Sequence, residues 1–585
     1  MKPDVFRARR RWTARALCAC LVAVSSGCSD DATPPEPPPN LDAGTDAGTD
    51  AGDDMDAGSD AGTQGSDGPA DQGPDFPHEV GDPASGQQVF RFETFGNEGF
   101  WTNALRLPEG IVAAGLTPKQ ALMAGLSVDV EALDPATQQA VAAELAAQGT
   151  DGPLLNDPET TLKLLNANAV LGVVVKDTNG DGVLDVASGD QVGVSCALCH
   201  AITDGSVLAI PEGGSVGKRI DGPTPHTLNV GAILALAANS RAYYPLTQVK
   251  LTANGDTSIG RAPSEMGLTE ASTEEEVDAY LSNPNYYPIG SFDDAPDGTG
   301  APQHIAPFFR TDLAAPFGTP GDVARLENFN NLVYTVLLDP TSLVTEGGRM
   351  FLMALGGEAA GQEMADDYLQ ILQETGVIGP GGVVGEGFPY VTASTMGTPG
   401  DEAFPVGRRV DEQKLRDLNA YTDSLQAPKA MGFDAAAAMR GKEVFRTGSC
   451  VQCHNVDPNR RVPSFIVPMN QLLANYTPVI LAERPVQLPF RPMAFDPIQN
   501  DVSTIFDDKT VVVDASRRGQ PRGSAMPLLL DLARKPNFLH DSSVASLDAL
   551  LDPSRGPAAP HAFYVADAAQ RMDVVEFLKS LDTTP

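Results

Sequence analysis

The chain has 585 residues, enough for several domains, but Gly (57) and Pro (48) are abundant and aromatic residues make up only 6%, so much of it must be loop and turn. The formal net charge of −37 excludes nucleic acid as a partner, because nothing here could neutralise phosphates. No apolar run reaches the roughly 18–20 residues of a membrane span, which excludes a membrane-spanning helix.

In chain order, the first feature is a basic start (Arg7, Arg9, Arg10, Arg11, Arg15) overlapping an apolar stretch, Ala14 to Val24. Residues 1–27 therefore read as an export signal. Ser25-Ser26-Gly27-Cys28 resembles a bacterial lipobox, with Ser25 where Leu or Val is usual. That resemblance implies lipid on Cys28, a membrane contact by anchor only, and an exported lipoprotein facing the periplasm or seated on the outer membrane, since Ser29 follows the cysteine. Residues 28–80 form an acidic tether. Thirteen acidic residues and no Lys or Arg fall in 29–77, and Asp-Ala-Gly recurs from Asp42 to Asp60. Such a stretch has almost nothing to bury and should be disordered and self-repelling. Beyond it, 63 acids face 34 bases, which favours small molecules or basic proteins as partners.

Two domains are expected, 81–428 and 429–585, built on one plan. The first opens with Gly86-Gln87-Gln88-Val89-Phe90 and closes with a helix from Lys414 to Leu425. The second opens with a helix from Ala435 to Phe445, with Met439, Val444 and Phe445 on one side, and closes with an amphipathic helix from Asp573 to Leu581. Pro428 marks the boundary. The first domain is far the longer, and its extra length is loop-rich, the kind of insertion that builds a pocket. The fold class is mainly α with little sheet.

Cys18 and Cys20 lie in the signal and Cys28 carries the anchor, which leaves two Cys-x-x-Cys pairs and no cysteine for a structural disulfide. Cys196-Ala197-Leu198-Cys199-His200 and Cys450-Val451-Gln452-Cys453-His454 are c-type haem attachment motifs. Two thiols on one turn add across the two haem vinyl groups, and the next residue sets an imidazole under the iron. At this chain's Cys and His frequencies, on the order of 0.001 matches would arise by chance. The rival reading is a zinc or redox Cys-x-x-Cys site. Two covalent haem c groups are expected, with His200 and His454 as proximal ligands. For the far faces, His561 is the candidate at the second haem, with His540 and Met526 as rivals. His226 is the candidate at the first haem, where an open position is the alternative that catalysis would require. Ahead of the first motif, Asp177, Asn179, Asp181, the Val183 carbonyl and Asp185 occupy calcium-loop positions, with Gly182 at the sharp turn and Ser188 where a bidentate Glu would stand. Calcium should bind weakly there, and a plain polar turn is the alternative.

On these motifs, residues 85–585 resemble the bacterial di-haem cytochrome c peroxidase superfamily, which includes the quinone-cofactor-maturing di-haem enzymes and the di-haem rubber oxygenase. Phe538-Leu539-His540-Asp541-Ser542, with Leu547, looks like the family's aromatic-x-His-Asp-Gly stretch, with Ser542 in place of Gly. The resemblance implies two cytochrome c-like domains, a reactive haem at His200 and a relay haem at His454. Ser554 stands where family peroxidases carry a Met ligand, which shifts weight to His561 and a bis-His relay haem, as in the rubber oxygenase. Trp101 is the one counterpart outside the signal for the family's tryptophan between the haems, and a core role is its other reading. The implied function is a peroxidase-like oxidoreductase: a small redox protein donates electrons to the relay haem, and the reactive haem reduces hydrogen peroxide. The alternatives are oxygen chemistry on an organic substrate and a non-catalytic, lipid-anchored electron carrier.

Overall fold

The computed structural model describes residues 81–256, 258, 261–298, 300, 302–314, 317–318, 325–379, 387–393, 395–396, 408–452, 454, 466–468, 493–494, 513–514, 523–525, 527–539, 542–556, 561 and 563–583. Cys28, the tether, Cys453, Met526, His540 and Asp541 lie outside the described residues.

Two crossed helix pairs organise what is described. Pro83–Phe92 starts where the Asp82 carboxylate accepts from the Ala84 and Ser85 amides and Pro83 occupies the first turn. It buries Gly86, Val89 and Phe90 against Glu412–Ser424, which presents Leu415, Leu418 and Tyr421. The backbones nearly touch: a Cβ on Gly86 would stand 1.9 Å from the Asp417 carbonyl oxygen. Asp82 N–H donates to Asp417 Oδ1 at 2.8 Å, and Phe90 meets Tyr421 edge-on at 5.6 Å.

The second pair repeats the arrangement. Ala435–Thr447, capped by Asp434, crosses Ala568–Lys579, capped by Asp567. A Cβ on Gly441 would stand 1.9 Å from the Asp573 carbonyl oxygen. Arg440 grips the Asp573 carboxylate through two nitrogens, at 2.9 and 2.6 Å, and Phe445 meets Phe577 edge-on at 5.5 Å. The two crossing glycines are the first residues of the two Gly-x-x-Val-Phe segments.

Two details depart from the sequence reading. Met439 does not share the apolar face. It is 72% exposed, while Ala437, Ala438, Gly441 and Phe445 are buried, because the close crossing admits only small side chains there. The closing helix also begins earlier than Asp573, at Ala568, because the Asp567 carboxylate accepts from the Gln570 amide.

About half of the structure is helical, so the class is mainly α. The strands are short: among the described residues they form one three-stranded and six two-stranded sheets. The large core gathers Phe90, Trp101, Tyr243, Tyr334, Tyr368 and Leu418, and Trp101 is a fully packed member of it. A smaller core joins Phe445, Phe538, Val544, Leu547, Val574 and Phe577. Phe309, Ala427 and Leu530 make a third cluster, where residues 309 and 530 meet across the chain.

Candidate functional site

The first motif occupies one helical turn between two strands. Gln191–Val194 pairs antiparallel with Val173–Lys176 along one edge. Along the other, two side chains take the place of a strand. Asn97 Nδ2 donates to the Val194 carbonyl at 2.8 Å and its Oδ1 accepts from the Val194 amide at 2.9 Å. The Thr102 hydroxyl serves Val192 likewise, donating at 3.1 Å and accepting at 2.8 Å. Ser195 then turns the chain, with Oγ donating to the Arg91 carbonyl at 2.8 Å. The turn Ala197–His200 follows, and the chain leaves along Ala201–Thr203, paired with Arg219–Asp221. Gly172 backs the turn in left-handed conformation (φ 70°), and a Cβ there would stand 1.8 Å from the Leu198 nitrogen.

Cys196 and Cys199 are not joined as a disulfide. The Cys196 sulfur lies 3.2 Å from the Tyr334 hydroxyl. Burial pushes the Cys196 thiol up to about 11 and the Cys199 thiol to about 12. A zinc or redox pair needs the opposite, a setting that favours thiolate. The His200 ring stacks on Phe308 at 3.7 Å with planes 14° apart, and its Nδ1 is buried without a hydrogen-bond partner. Burial draws its pKa down to about 4 against a smaller opposing effect of the Ala306 carbonyl, so the imidazole is neutral and competent as a ligand.

The second motif follows Ala435–Thr447 directly. Ser449–Gln452 forms a tight turn, and the His454 amide donates to the Cys450 carbonyl at 2.8 Å. The His454 ring faces His561, with centroids 6.1 Å apart and planes 52° apart. Both rings bury an Nδ1 without a partner, and burial draws them down to about 4 (His454) and about 3 (His561). Metal–imidazole bonds of about 2.0–2.1 Å place two rings that share an ion from opposite sides with centroids on the order of 6 Å apart. These two histidines therefore fit an iron held between them. His561 sits in left-handed conformation (φ 57°), a strained state for a non-glycine residue. Buried Arg555 helps hold it, reaching the Leu550 carbonyl at 2.9 Å and the His561 carbonyl at 3.3 Å.

His226 stacks on His304, with centroids 5.3 Å apart and planes 15° apart; this is its aromatic partner among the described residues. In the loop Asp177–Asp185 the polar side chains turn onto backbone amides. Asp177 accepts from Gly180 at 2.6 Å and Gly182 at 2.9 Å, Asn179 from Asp181 at 2.8 Å, and Asp181 from Val183 at 2.8 Å. Asp190 closes the loop by accepting from Asp185 at 2.9 Å and Thr178 at 3.0 Å, a role that no calcium-loop position announced. Among the described residues no group of three or more His, Cys, Asp or Glu side chains converges as a metal site. Sequence reasoning also missed Asn97, Thr102, Phe308, Tyr334 and Arg555. Each acts on a residue whose contact depends on the path of the chain, and no local motif marks them.

No protein-family model and no curated protein matches the chain. Among solved structures, hydrazine synthase of Kuenenia stuttgartiensis aligns at 14% identity over 49% of this chain and 74% of that one, with a TM-score of 0.22. At that degree of likeness neither fold nor function carries over.

Proposed function

We propose that this chain is an exported di-haem c-type cytochrome, with a reactive haem held at Cys196, Cys199 and His200 and a relay haem held at Cys450, Cys453 and His454. The single observation that carries the reading is the His454–His561 pair: two neutral imidazoles with centroids 6.1 Å apart, the spacing of a shared iron, one of them directly after a Cys-x-x-Cys pair. Each Cys-x-x-Cys-His lies in the span of one crossed helix pair, which supports two cytochrome c-like domains, 81–428 and 429–585, the first heavily elaborated.

The reaction we favour is reduction of hydrogen peroxide with electrons from a small redox protein. When bound, the haem iron supplies the electron transfer and the peroxide-binding position. The chain's own residues hold the cofactors still. Asn97 and Thr102 fix the strand ahead of Cys196, Phe308 fixes the plane of the His200 ring, and Arg555 fixes the loop that offers His561. The pairing of His226, the candidate for the far face, with His304 supports an open position on the reactive haem. Cys28 would anchor the protein by lipid, and the acidic tether would give it reach.

The test is an ultraviolet–visible and electron paramagnetic resonance spectrum of the half-reduced holoprotein, with cyanide and then peroxide added. One high-spin haem that converts on cyanide and reacts with peroxide is expected. Two low-spin haems indifferent to both ligands would leave the electron-carrier reading instead. Oxygen uptake with an apolar organic substrate, in place of peroxide turnover, would point to the oxygenase reading.

A further inference from the structure

A buried carboxylate, that of Asp221, stands beside the first motif. Its side chain is 1% exposed, and one oxygen, Oδ2, receives a donor from each helix of the first crossed pair. Arg91, in Pro83–Phe92, donates from Nε at 2.6 Å, and Tyr421, in Glu412–Ser424, donates its hydroxyl at 2.7 Å. Gln87 donates to that same Tyr421 hydroxyl at 3.1 Å, so the opening and closing helices are also bonded to each other at this point. A carboxylate taken so far out of water is kept only where a paired charge and hydrogen bonds offset its desolvation.

The backbone around Asp221 completes the arrangement. Asp221 pairs with Ala201, the residue after His200. The next residue, Gly222, donates its amide to the His200 carbonyl at 2.7 Å and accepts from the Phe308 amide at 2.8 Å. Phe308 is the ring stacked on His200. Gly222 sits at φ 105°, and a Cβ there would stand 3.0 Å from the Phe308 carbonyl oxygen, so this close approach depends on glycine. Arg91 also reaches the entry to the motif, because its carbonyl accepts from Ser195 Oγ at 2.8 Å. One arginine thus holds the residue before Cys196 through its backbone and, through Asp221, the strand beside His200.

The same position is used differently at the second motif. The repeated segment extends to Gly-x-x-Val-Phe-Arg, from Gly86 to Arg91 and from Gly441 to Arg446. Arg446 is exposed, whereas Arg91 is drawn to the buried Asp221.

We propose that Asp221 is a positioning residue for the reactive haem, an inference that rests on the function proposed above. It ties the place of the His200 ring to the crossing of the opening and closing helices. Arg91 and Tyr421 fix Asp221, Gly222 fixes the His200 carbonyl and Phe308, and these fix the plane of the imidazole. Partners beyond the ligand itself orient it in this way and so tune the metal.

The experiment compares holoprotein of the wild type with Tyr421→Phe, Arg91→Met and Arg91→Lys. Haem content, unfolding temperature and the resonance Raman spectrum of the dithionite-reduced protein are recorded. The iron–histidine stretching band reports the His200 haem, because a haem with histidine on both faces gives none. Tyr421→Phe should shift and broaden that band, Arg91→Met should shift it further, and Arg91→Lys should largely restore it. The low-spin signal of the His454 haem should stay unchanged in all three. If the wild type gives no such band, the first haem has a ligand on both faces. The same variants should then move one of the two low-spin electron paramagnetic resonance signals and leave the other. Should Arg91→Met not fold, because it leaves a buried charge unpaired, Tyr421→Phe carries the test with its ring retained. The inference is overturned if the unfolding temperature falls while the band and both signals stay in place, since the clamp then serves stability alone. It is also overturned if both haems respond alike. A preparation without covalent haem overturns the proposed function and this inference with it, whereas haem present with unmoved bands overturns the inference alone.

Discussion

The imidazoles of His454 and His561 face one another with centroids 6.1 Å apart, although 106 residues separate them in sequence. His561 reaches this place from a left-handed backbone position, and the Arg555 guanidinium bonded to its carbonyl helps keep it there. The proposed relay haem depends on that loop.

Replacing His561 by Ala should therefore remove the far ligand while leaving attachment at Cys450 and Cys453 intact. The expected result is a second high-spin signal in the electron paramagnetic resonance spectrum with unchanged haem content. Arg555→Met should give a partial form of the same change, because it loosens the loop without removing the imidazole. An unaltered low-spin signal in His561→Ala would assign the ligand to another residue.

The two helix crossings should be intolerant of even one methyl group. Gly86→Ala and Gly441→Ala each place a Cβ 1.9 Å from a backbone oxygen, so a helix must shift. Overpacking of this kind costs about 1–3 kcal/mol, occasionally more. A fall of several degrees in unfolding temperature is expected for each, against little change for Ala at Met439, which is exposed.

Acid should destabilise the fold through its buried histidines. Burial draws His226 down to about 3 and His304 to about 2, below the ordinary histidine value near 6.5, and the function proposed above places no haem on either. Between the unfolded and folded values the unfolded chain binds more protons, so stability rises with pH there and falls on acidification. It should be level above about pH 6.5 and decline toward about pH 4, by on the order of 3 kcal/mol for each group that titrates freely. Denaturant midpoints measured across that range check the slope, and a flat profile would contradict it.

Calcium binding at Asp177–Asp185 is the remaining expectation with a direct test. The loop is already shaped by bonds from Asp177, Asn179 and Asp181 to its own amides, so calcium would add to a formed turn. Millimolar calcium should raise the unfolding temperature modestly, in the range of weak extracellular modules. Asp181→Ala should abolish that rise, and equal melting with calcium and with a chelator would leave the segment as a polar turn.

What the sequence makes legible is local. Cys-x-x-Cys-His is read from five consecutive residues, and the repeated Gly-x-x-Val-Phe marks the two helices that the structure crosses at Gly86 and Gly441. His561 stands just before the closing helix, which singles it out as a candidate, and the structure sets its ring 6.1 Å from that of His454. Met439 misled because helical spacing shows that a face exists and leaves open which small residues a close crossing demands.

The tertiary structure alone decided the distant partnerships. Phe308 lies on His200, His304 rather than a haem motif is the ring stacked on His226, and Asn97 and Thr102 complete the strand before Cys196. Ser542 comes within 3.3 Å of His304 only because residues near 300 and near 540 meet. A sequence carries the bonding capacity of each of these side chains, but which capacities are spent on one another depends on the route the chain takes to bury its apolar surface.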